Sequence, residues 1–414
     1  MKNKTALLLV LTALAVPAQA QTVAQPLAVP ITQTAAAPAA PAAPDVTVPL
    51  LSPQSQNLVA PLDLAAKQAI LIDVPTGAVL YALNADQHMP TSSMSKMLTL
   101  YLVFEALKDG KLHLTDKIRI SPHAFSQPGS RMFLNAGQEV SVEDLIRGVA
   151  IQSGNDAAVA LAEALGSGSE PTFVDMMNAK ARELGMANSH FVDATGLPDP
   201  DHYSTARDLA TLALALMRNF PEYYHYFSEI DFTFNGIKQG NRNPLLYRSM
   251  GCDGIKTGHT DVGGYGLTTS CVQNGRRLLA VVNGMDSMQA RADEPAKLID
   301  YGYREFGDYP IVKAGDVMAR AAIWQGQAAT VPVIATQDLT ISLPRASRDG
   351  LKAIVTFDQP LAAPVRKGQQ IGTLTVTAPG VADRQISLVA ANDVARVGFF
   401  ARAWDNLKLM LHGK

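Results

Sequence analysis

Cysteine is scarce in this sequence: Cys252 and Cys271 are the only two in 414 residues. Two cysteines at that spacing suit no multi-ligand metal motif, and they exclude a disulfide-dense scaffold. An excess of one charge is also missing. Lys and Arg total 35 against 37 Asp and Glu, a formal net charge of -2, which argues against a strongly basic nucleic-acid binder. Beyond the N-terminus no apolar run reaches bilayer-spanning length, so the folded part is expected outside the membrane core. The eight histidines are scattered. The nearest pairing with a carboxylate, Asp201-His202, falls in an expected loop, so no metal site and no cofactor motif is expected.

The N-terminus does carry a signal. Lys2 and Lys4 precede a short apolar run, and Ala18-Gln19-Ala20 forms a small-x-small cleavage site. Residues 1–20 read as a secretory signal peptide, with the mature chain starting at Gln21. Residues 21–48 are mostly Ala, Pro, Thr, Val and Gln. That composition cannot build a core of its own and reads as a disordered leader.

With 47% hydrophobic residues, the remaining length is too great for one ordinary domain. Residues 49–305 open with two apolar runs split by Pro75-Thr76-Gly77, a hairpin pattern. A helix follows from Ser92 or Ser93 to Lys108, apolar nearly all round and so expected in the middle of the domain. Further helices are predicted after Val140, from Asp156 to Leu165, from Glu170 to Gly185 and from Ser204 to Arg218. Ser141 with Asp144 resembles a capping box. Strands then return at 232–234, 252–258, 264–272 and 277–283, and a helix closes the unit at 290–305. The order implies an α/β (α+β) domain with an antiparallel sheet covered by helices. Residues 306–395 lose helical periodicity and read as a small all-β domain. In residues 396–414, Phe400, Trp404, Leu407 and Leu411 share one helical stripe, which suits a membrane interface or packing against a protein surface. Cys252 and Cys271 would lie opposite each other across a hairpin. A cross-strand disulfide and two buried thiols both fit that placement.

Three short motifs carry chemistry. Ser93-Met94-Ser95-Lys96 places a hydroxyl and an amine one turn apart on one helical face. A serine needs a base to become a nucleophile, and lysine serves when burial or nearby cations depress its pKa. Lys96 also interrupts a stripe of core residues, which a solvated lysine would not do. Ser153-Gly154-Asn155 sits at a break between helical runs, where Gly154 allows a tight turn. Lys256-Thr257-Gly258 ends a predicted strand before a Gly-rich turn. Each alone can be a cap or a turn; the three in this order carry the signal.

These motifs resemble the S-x-x-K, S-x-N and K-T-G elements of the penicillin-binding-protein and serine beta-lactamase superfamily. The stretches 90–97, 146–157 and 253–260 resemble in particular the low-molecular-mass D-alanyl-D-alanine carboxypeptidases of the S11 peptidase family. The likeness runs over about residues 60 to 400. It implies an exported enzyme that removes the terminal D-alanine of peptidoglycan stem peptides and is acylated by beta-lactam antibiotics. It also implies a periplasmic location, with peripheral attachment to the outer face of the inner membrane through the C-terminal helix. By motif, Ser93 corresponds to the nucleophile and Lys96 to its base. Ser153 corresponds to the proton relay to the leaving amine, Asn155 to the amide that holds the substrate backbone, and Lys256 to the support of Ser153. Thr257 and Gly258 would border the substrate carboxylate, and the backbone N–H groups of Ser93 and His259 would form the oxyanion hole. Arg291 is the better placed carboxylate reader, and Arg207 reads the substrate or holds the site's shell together.

Other readings stay in view. A class A beta-lactamase needs a Glu with Asn four residues on, in a loop beyond the second motif. That region here reads Ala187-Asn188-Ser189-His190-Phe191. Endopeptidase action on cross-links remains open, because the rim at 126–132 rather than the motifs would decide it. A non-catalytic cell-wall-binding scaffold is the non-enzyme alternative.

Overall fold

The computed structural model describes residues 21–27 and 58–404. The expected signal peptide, most of the expected leader and residues 405–414 of the expected C-terminal helix lie outside the described residues.

Five antiparallel strands make the central sheet, in the order Val79–Leu83, Gln68–Asp73, Arg276–Met285, Gly264–Gln273, Cys252–Thr260. Side chains alternate across a strand, so a sheet covered on both sides needs apolar residues at both parities. Ile70, Ile72, Leu279 and Val281 face the helical core. Ala69, Leu71, Leu278, Ala280 and Val282 face the opposite way, onto Leu298, Ile299 and Tyr301 of the helix Met288–Glu305. The helix Lys96–Lys108 runs through the centre of the helical layer. Its residues 96–104 are all buried, as expected of a helix apolar on every face.

Helix starts follow local capping chemistry. Ser141 accepts from the Asp144 N–H and opens Val142–Ala150. Thr205 accepts from the Asp208 N–H and opens Ala206–Asn219. Each cap satisfies a first-turn donor that has no partner within the helix. Cys252 and Cys271 stand opposite each other in the sheet register and are joined as a disulfide across 19 residues, which resolves the two readings in favour of the bridge.

From Phe306 to Ala390 the chain is β apart from the 3₁₀ turn Arg345–Gly350. The strand Phe306–Val312 pairs with Leu339–Pro344, and a seven-stranded sheet holds the rest. One of its edge strands is Gln21–Leu27, antiparallel to Lys352–Gln359. This corrects the expectation that the leader is disordered from Gln21. A segment unable to build its own core can still lend backbone N–H and C=O groups to an open sheet edge, where Pro26 is tolerated. At the other end residues 399–404 are helical, and Phe399 and Phe400 are 71% and 87% exposed. No described helix is long and apolar enough to cross a membrane.

The sheet and the β region meet at an ionic junction. Arg276 donates to the wholly buried Asp73 at 2.7 Å and lies 3.1 Å from Asp308. Ser342 donates to Asp308 at 2.7 Å, and Thr76 bonds Ser342. Burial, reinforced by the Asp73 carboxylate and opposed by Arg276 and Ser342, raises the Asp308 pKa. A carboxyl with a raised folded-state pKa contributes stability that is complete below the unfolded value of about 4 and is lost as pH rises through the folded value. Asp308→Asn keeps the shape without the charge. It is expected to melt higher than the parent at pH 8 and no higher at pH 4, as read by thermal unfolding at the two pH values.

Candidate active site

The first motif lies in a tight turn. Ser92–Ser95 is a 3₁₀ turn leading directly into the helix Lys96–Lys108, and Ser92 takes a left-handed φ of 50°. Such a backbone is uncommon for a non-glycine residue and needs support from its surroundings. Some of that support comes from the strand Cys252–Thr260: Ser92 Oγ lies 3.1 Å from Thr260 Oγ1. A Cβ on Gly258 would sit 2.8 Å from the Thr91 carbonyl oxygen, so only glycine lets strand and turn approach this closely.

Ser93 is half-buried, while Lys96 is fully buried. Lys96 Nζ donates to Ser93 Oγ at 2.8 Å and to the Thr195 carbonyl at 2.7 Å. Burial brings the Lys96 pKa down to about 7. Asp193 and Asp156 oppose the fall and Arg242 adds to it. A substantial share of this amine is therefore neutral near neutral pH, the form able to take a proton.

A second serine–lysine pair faces the first. Ser153 is 1% exposed and accepts from Lys256 Nζ at 2.9 Å; Lys256 also donates to the Thr257 carbonyl. Burial, helped by the charges of Lys96, Arg242 and Arg291, pushes Lys256 far down from its ordinary value. The left-handed residue here is Ser153 itself, at φ 63°, rather than Gly154. Gly154 is required for proximity instead: a Cβ there would come within 2.9 Å of Asp156 Oδ1 and 3.1 Å of the Met132 nitrogen. Asn155 donates through Nδ2 to the Pro128 carbonyl at 2.6 Å, while its buried Oδ1 has no partner among the described residues. Buried acceptors ordinarily meet a donor.

Thr257 is buried, and His259 is exposed and packs on Tyr265 with ring centroids 4.0 Å apart. The Arg291 guanidinium lies over the same Tyr265 ring at 5.3 Å, and its buried Nε has no partner among the described residues. Burial lowers its pKa, as does the charge of Arg242. Arg207 is different. Its guanidinium grips Asp86 through Nε at 2.6 Å and Nη2 at 3.0 Å. That fork is filled by Asp86, and the Arg207 N–H donates to the Ala85 carbonyl, which favours the second of the two expectations for Arg207, that it holds the shell of the site.

Sequence reasoning missed several neighbours. Arg242 bonds Ser130 on the rim loop and affects Lys96, Lys256 and Arg291 electrostatically. Within Asn241-Arg242-Asn243 it has no spacing that would single it out. Thr195 matters through its carbonyl, which any residue carries. The loop at 126–132 lies against the second motif: Ser130 O and Pro128 O receive the Asn155 backbone and side-chain donors. Among the described residues no cluster of His, Cys, Asp or Glu could hold a metal ion.

A helix-covered antiparallel sheet with two serine–lysine pairs at one edge, followed by an all-β region, defines the serine beta-lactamase and penicillin-binding-protein class of fold. The comparisons narrow it. The family model for D-alanyl-D-alanine carboxypeptidase, peptidase S11, matches residues 55–287, and that for the penicillin-binding protein 5 C-terminal domain matches residues 306–396. D-alanyl-D-alanine carboxypeptidase DacA of Haemophilus influenzae is 40% identical over 361 residues, covering 86% of this chain and 92% of that one. DacC of Escherichia coli is 38% identical over 365 residues, covering 86% and 91%. The crystal structure of penicillin binding protein 5 from Haemophilus influenzae superposes with a TM-score of 0.73 at 40% identity, over 82% of this chain and all of that one. The chain belongs to the S11 family of D-alanyl-D-alanine carboxypeptidases.

Proposed function

We propose that this chain removes the terminal D-alanine of peptidoglycan stem peptides through an acyl-serine, with Ser93 as nucleophile and Lys96 as its base. The observation that carries the reading is the 2.8 Å contact between Ser93 Oγ and a fully buried amine whose pKa is lowered to about 7. The neutral amine takes the Ser93 proton as Oγ attacks the carbonyl between the two D-alanines. The Ser93 and His259 backbone N–H groups are assigned to the developing oxyanion. Ser153, supported by Lys256, passes a proton to the departing amine, and Asn155 Oδ1 accepts from the substrate backbone. Thr257, Gly258 and Arg291 receive the terminal carboxylate, which a guanidinium with no acidic partner among the described residues suits. Water then cleaves the ester.

Penicillins acylate the same serine and leave slowly. Slow release fits a sequence that carries no Glu with Asn four residues on in the loop beyond the second motif. Asp193 Oδ1 is occupied by the Thr195 N–H, the Thr195 hydroxyl and the Gly196 N–H. Glu170 is held by the Ala194 N–H and His123. Glu170 is therefore engaged at both oxygens, while Asp193 Oδ2 lies 3.7 Å from His202 Nδ1.

The test is product analysis. A synthetic stem pentapeptide ending in D-Ala-D-Ala should yield one D-alanine and one tetrapeptide. Cleavage confined to cross-linked dimers would replace this reading with endopeptidase action. Arg291→Gln is expected to lose about 100-fold in kcat/KM in that assay, the scale of an unpaired buried charge contact.

Export to the periplasm and peripheral attachment to the inner membrane complete the reading. They rest on the N-terminal pattern and on the exposed Phe399, Phe400 and Trp404. A chain ending at residue 396 is expected to lose the binding of the mature full-length chain to anionic lipid vesicles in a sedimentation assay.

A further inference from the structure

Behind the Ser93–Lys96 pair lies a buried polar group that the mechanism above does not use. His202 is 3% exposed, and its Nε2 is 2.7 Å from Ser95 Oγ. Ser95 is wholly buried inside the first motif, and its hydroxyl also bonds Thr91 Oγ1 on the other side of the Ser93 turn. On the opposite edge of the ring, Nδ1 accepts from the Val192 N–H at 3.4 Å, with Asp193 Oδ2 3.7 Å away. The Phe191 ring closes the site edge-on, with centroids 5.4 Å apart.

The segment that His202 touches is the one that holds Lys96. Asp193 Oδ1 folds 193–196 into a turn by accepting from Thr195 and Gly196. The Thr195 carbonyl then accepts from Lys96 Nζ at 2.7 Å, and the Ala194 carbonyl from Thr99 Oγ1 at 2.7 Å. Gly196, at φ 83°, lies so close that a Cβ would sit 1.9 Å from the Ser92 carbonyl oxygen. One imidazole thus ties the nucleophile turn, through Ser95, to the turn that fixes the lysine, through Val192.

We propose that His202 is a positioning residue for the acylation of Ser93: as a neutral ring it holds the Ser93 turn and the 193–196 turn together and keeps water away from Lys96. The inference rests on Ser93 and Lys96 having the roles given above. His202 touches neither reacting atom. With Nδ1 accepting from Val192, its proton lies on Nε2 and is donated to Ser95, an assignment made from the hydrogen-bond network. Burial lowers its pKa, as do Lys96 and His190, while Asp193 and Asp199 raise it. The charged groups acting on Lys96 are Asp193, Asp156 and Arg242. A second proton on His202 would set an N–H against the Val192 N–H, so the ring works unprotonated.

The experiment measures the second-order rate of acylation by benzylpenicillin from pH 5 to 9, for the mature chain and for Ser93→Ala, His202→Leu and His202→Gln. His202→Leu removes the donor. Misplacement of a reacting group on the ångström scale costs up to about 100-fold, so a 10- to 100-fold loss is expected. Burial is the main reason the Lys96 pKa is low, so admitting water raises it and moves the acid limb of the profile to higher pH. His202→Gln can present an N–H near the position of Nε2 and should recover most of the rate and the original limb. A His202→Leu protein that melts earlier yet keeps the parental rate and limb has lost only stability, and the proposal is overturned. A Gln variant as slow as Leu overturns the donor role. If His202→Leu does not fold, Ser95→Ala removes the acceptor instead; an unmoved limb there is equally fatal. A parent chain that takes no adduct, or a Ser93→Ala chain that keeps one, overturns the Ser93 assignment and the positioning role with it. An acylated parent with unmoved His202 variants overturns His202 alone.

Discussion

Ser93→Ala is expected to take no covalent adduct from benzylpenicillin, while the unaltered chain gains one acyl group that persists through intact-mass measurement. Release of D-alanine should fall by at least about 10⁴-fold, the scale seen when a nucleophile is removed from a group of residues acting as a unit. The prediction is sharp because the site holds two serines bonded to lysines at nearly equal distance, Ser93 to Lys96 at 2.8 Å and Ser153 to Lys256 at 2.9 Å. Distance does not choose between them, but access does. Ser93 is half-buried at the cleft, whereas Ser153 is 1% exposed beneath the Lys256 side chain. Ser153 also sits two residues from Asn155, whose buried Oδ1 has no partner among the described residues and is proposed above to accept from the substrate backbone. Peptide mapping should therefore place the adduct at Ser93. An adduct on Ser153, or one that survives in Ser93→Ala, would reverse the two assignments.

What could be read from the sequence follows from the range of the forces involved. The S-x-x-K pair was legible because helical spacing alone brings its members together, and the lysine broke an apolar stripe. The helix-covered antiparallel sheet was legible from the order of short apolar runs and helical stretches, whereas its two separate cores emerge only in the structure. Contacts set by tertiary packing were not. Arg207 opens a helix beside the catalytic segments and looks available, until the fold brings Asp86 into its fork. Arg242 looks like a loop residue, until the chain turns it toward two lysines and a second arginine. The strand Gln21–Leu27 was not legible because its composition matches the rest of the leader, while its place is set by backbone pairing with Lys352–Gln359. The hairpin partner Ile237–Gly240 was missed for a related reason: it is short, polar and largely exposed. The second motif shows a subtler failure. A glycine at a tight turn suggests a left-handed backbone, but here the neighbouring Ser153 adopts it, and Gly154 is needed for the close approach of Asp156 and Met132.

Acylation by the unaltered chain is expected to rise with pH through about 7 and then level off, and Lys96→Gln should both slow the reaction and abolish that rise. The sign follows from the state of the amine. Only neutral Lys96 can accept the Ser93 proton, and its pKa is lowered to about 7, chiefly by burial. Below that value the ammonium predominates and donates to Ser93 Oγ, which stabilises the hydroxyl and opposes attack. Above it the base is present and further alkali adds nothing. General-base assistance contributes about 10²- to 10⁴-fold, so the glutamine variant should be slower by that factor at pH 8. Arg242 supplies an internal control. Its charge is the neighbouring influence that lowers the Lys96 pKa, against Asp193 and Asp156, which raise it. Arg242→Gln removes the repulsion, favours the ammonium and should shift the acid limb to higher pH while leaving the plateau base intact. Rate–pH curves for the three proteins separate the possibilities. A Lys96→Gln chain that retains the limb would assign it to another group, and Lys256, also strongly depressed by burial, would be the first to examine by the same substitution.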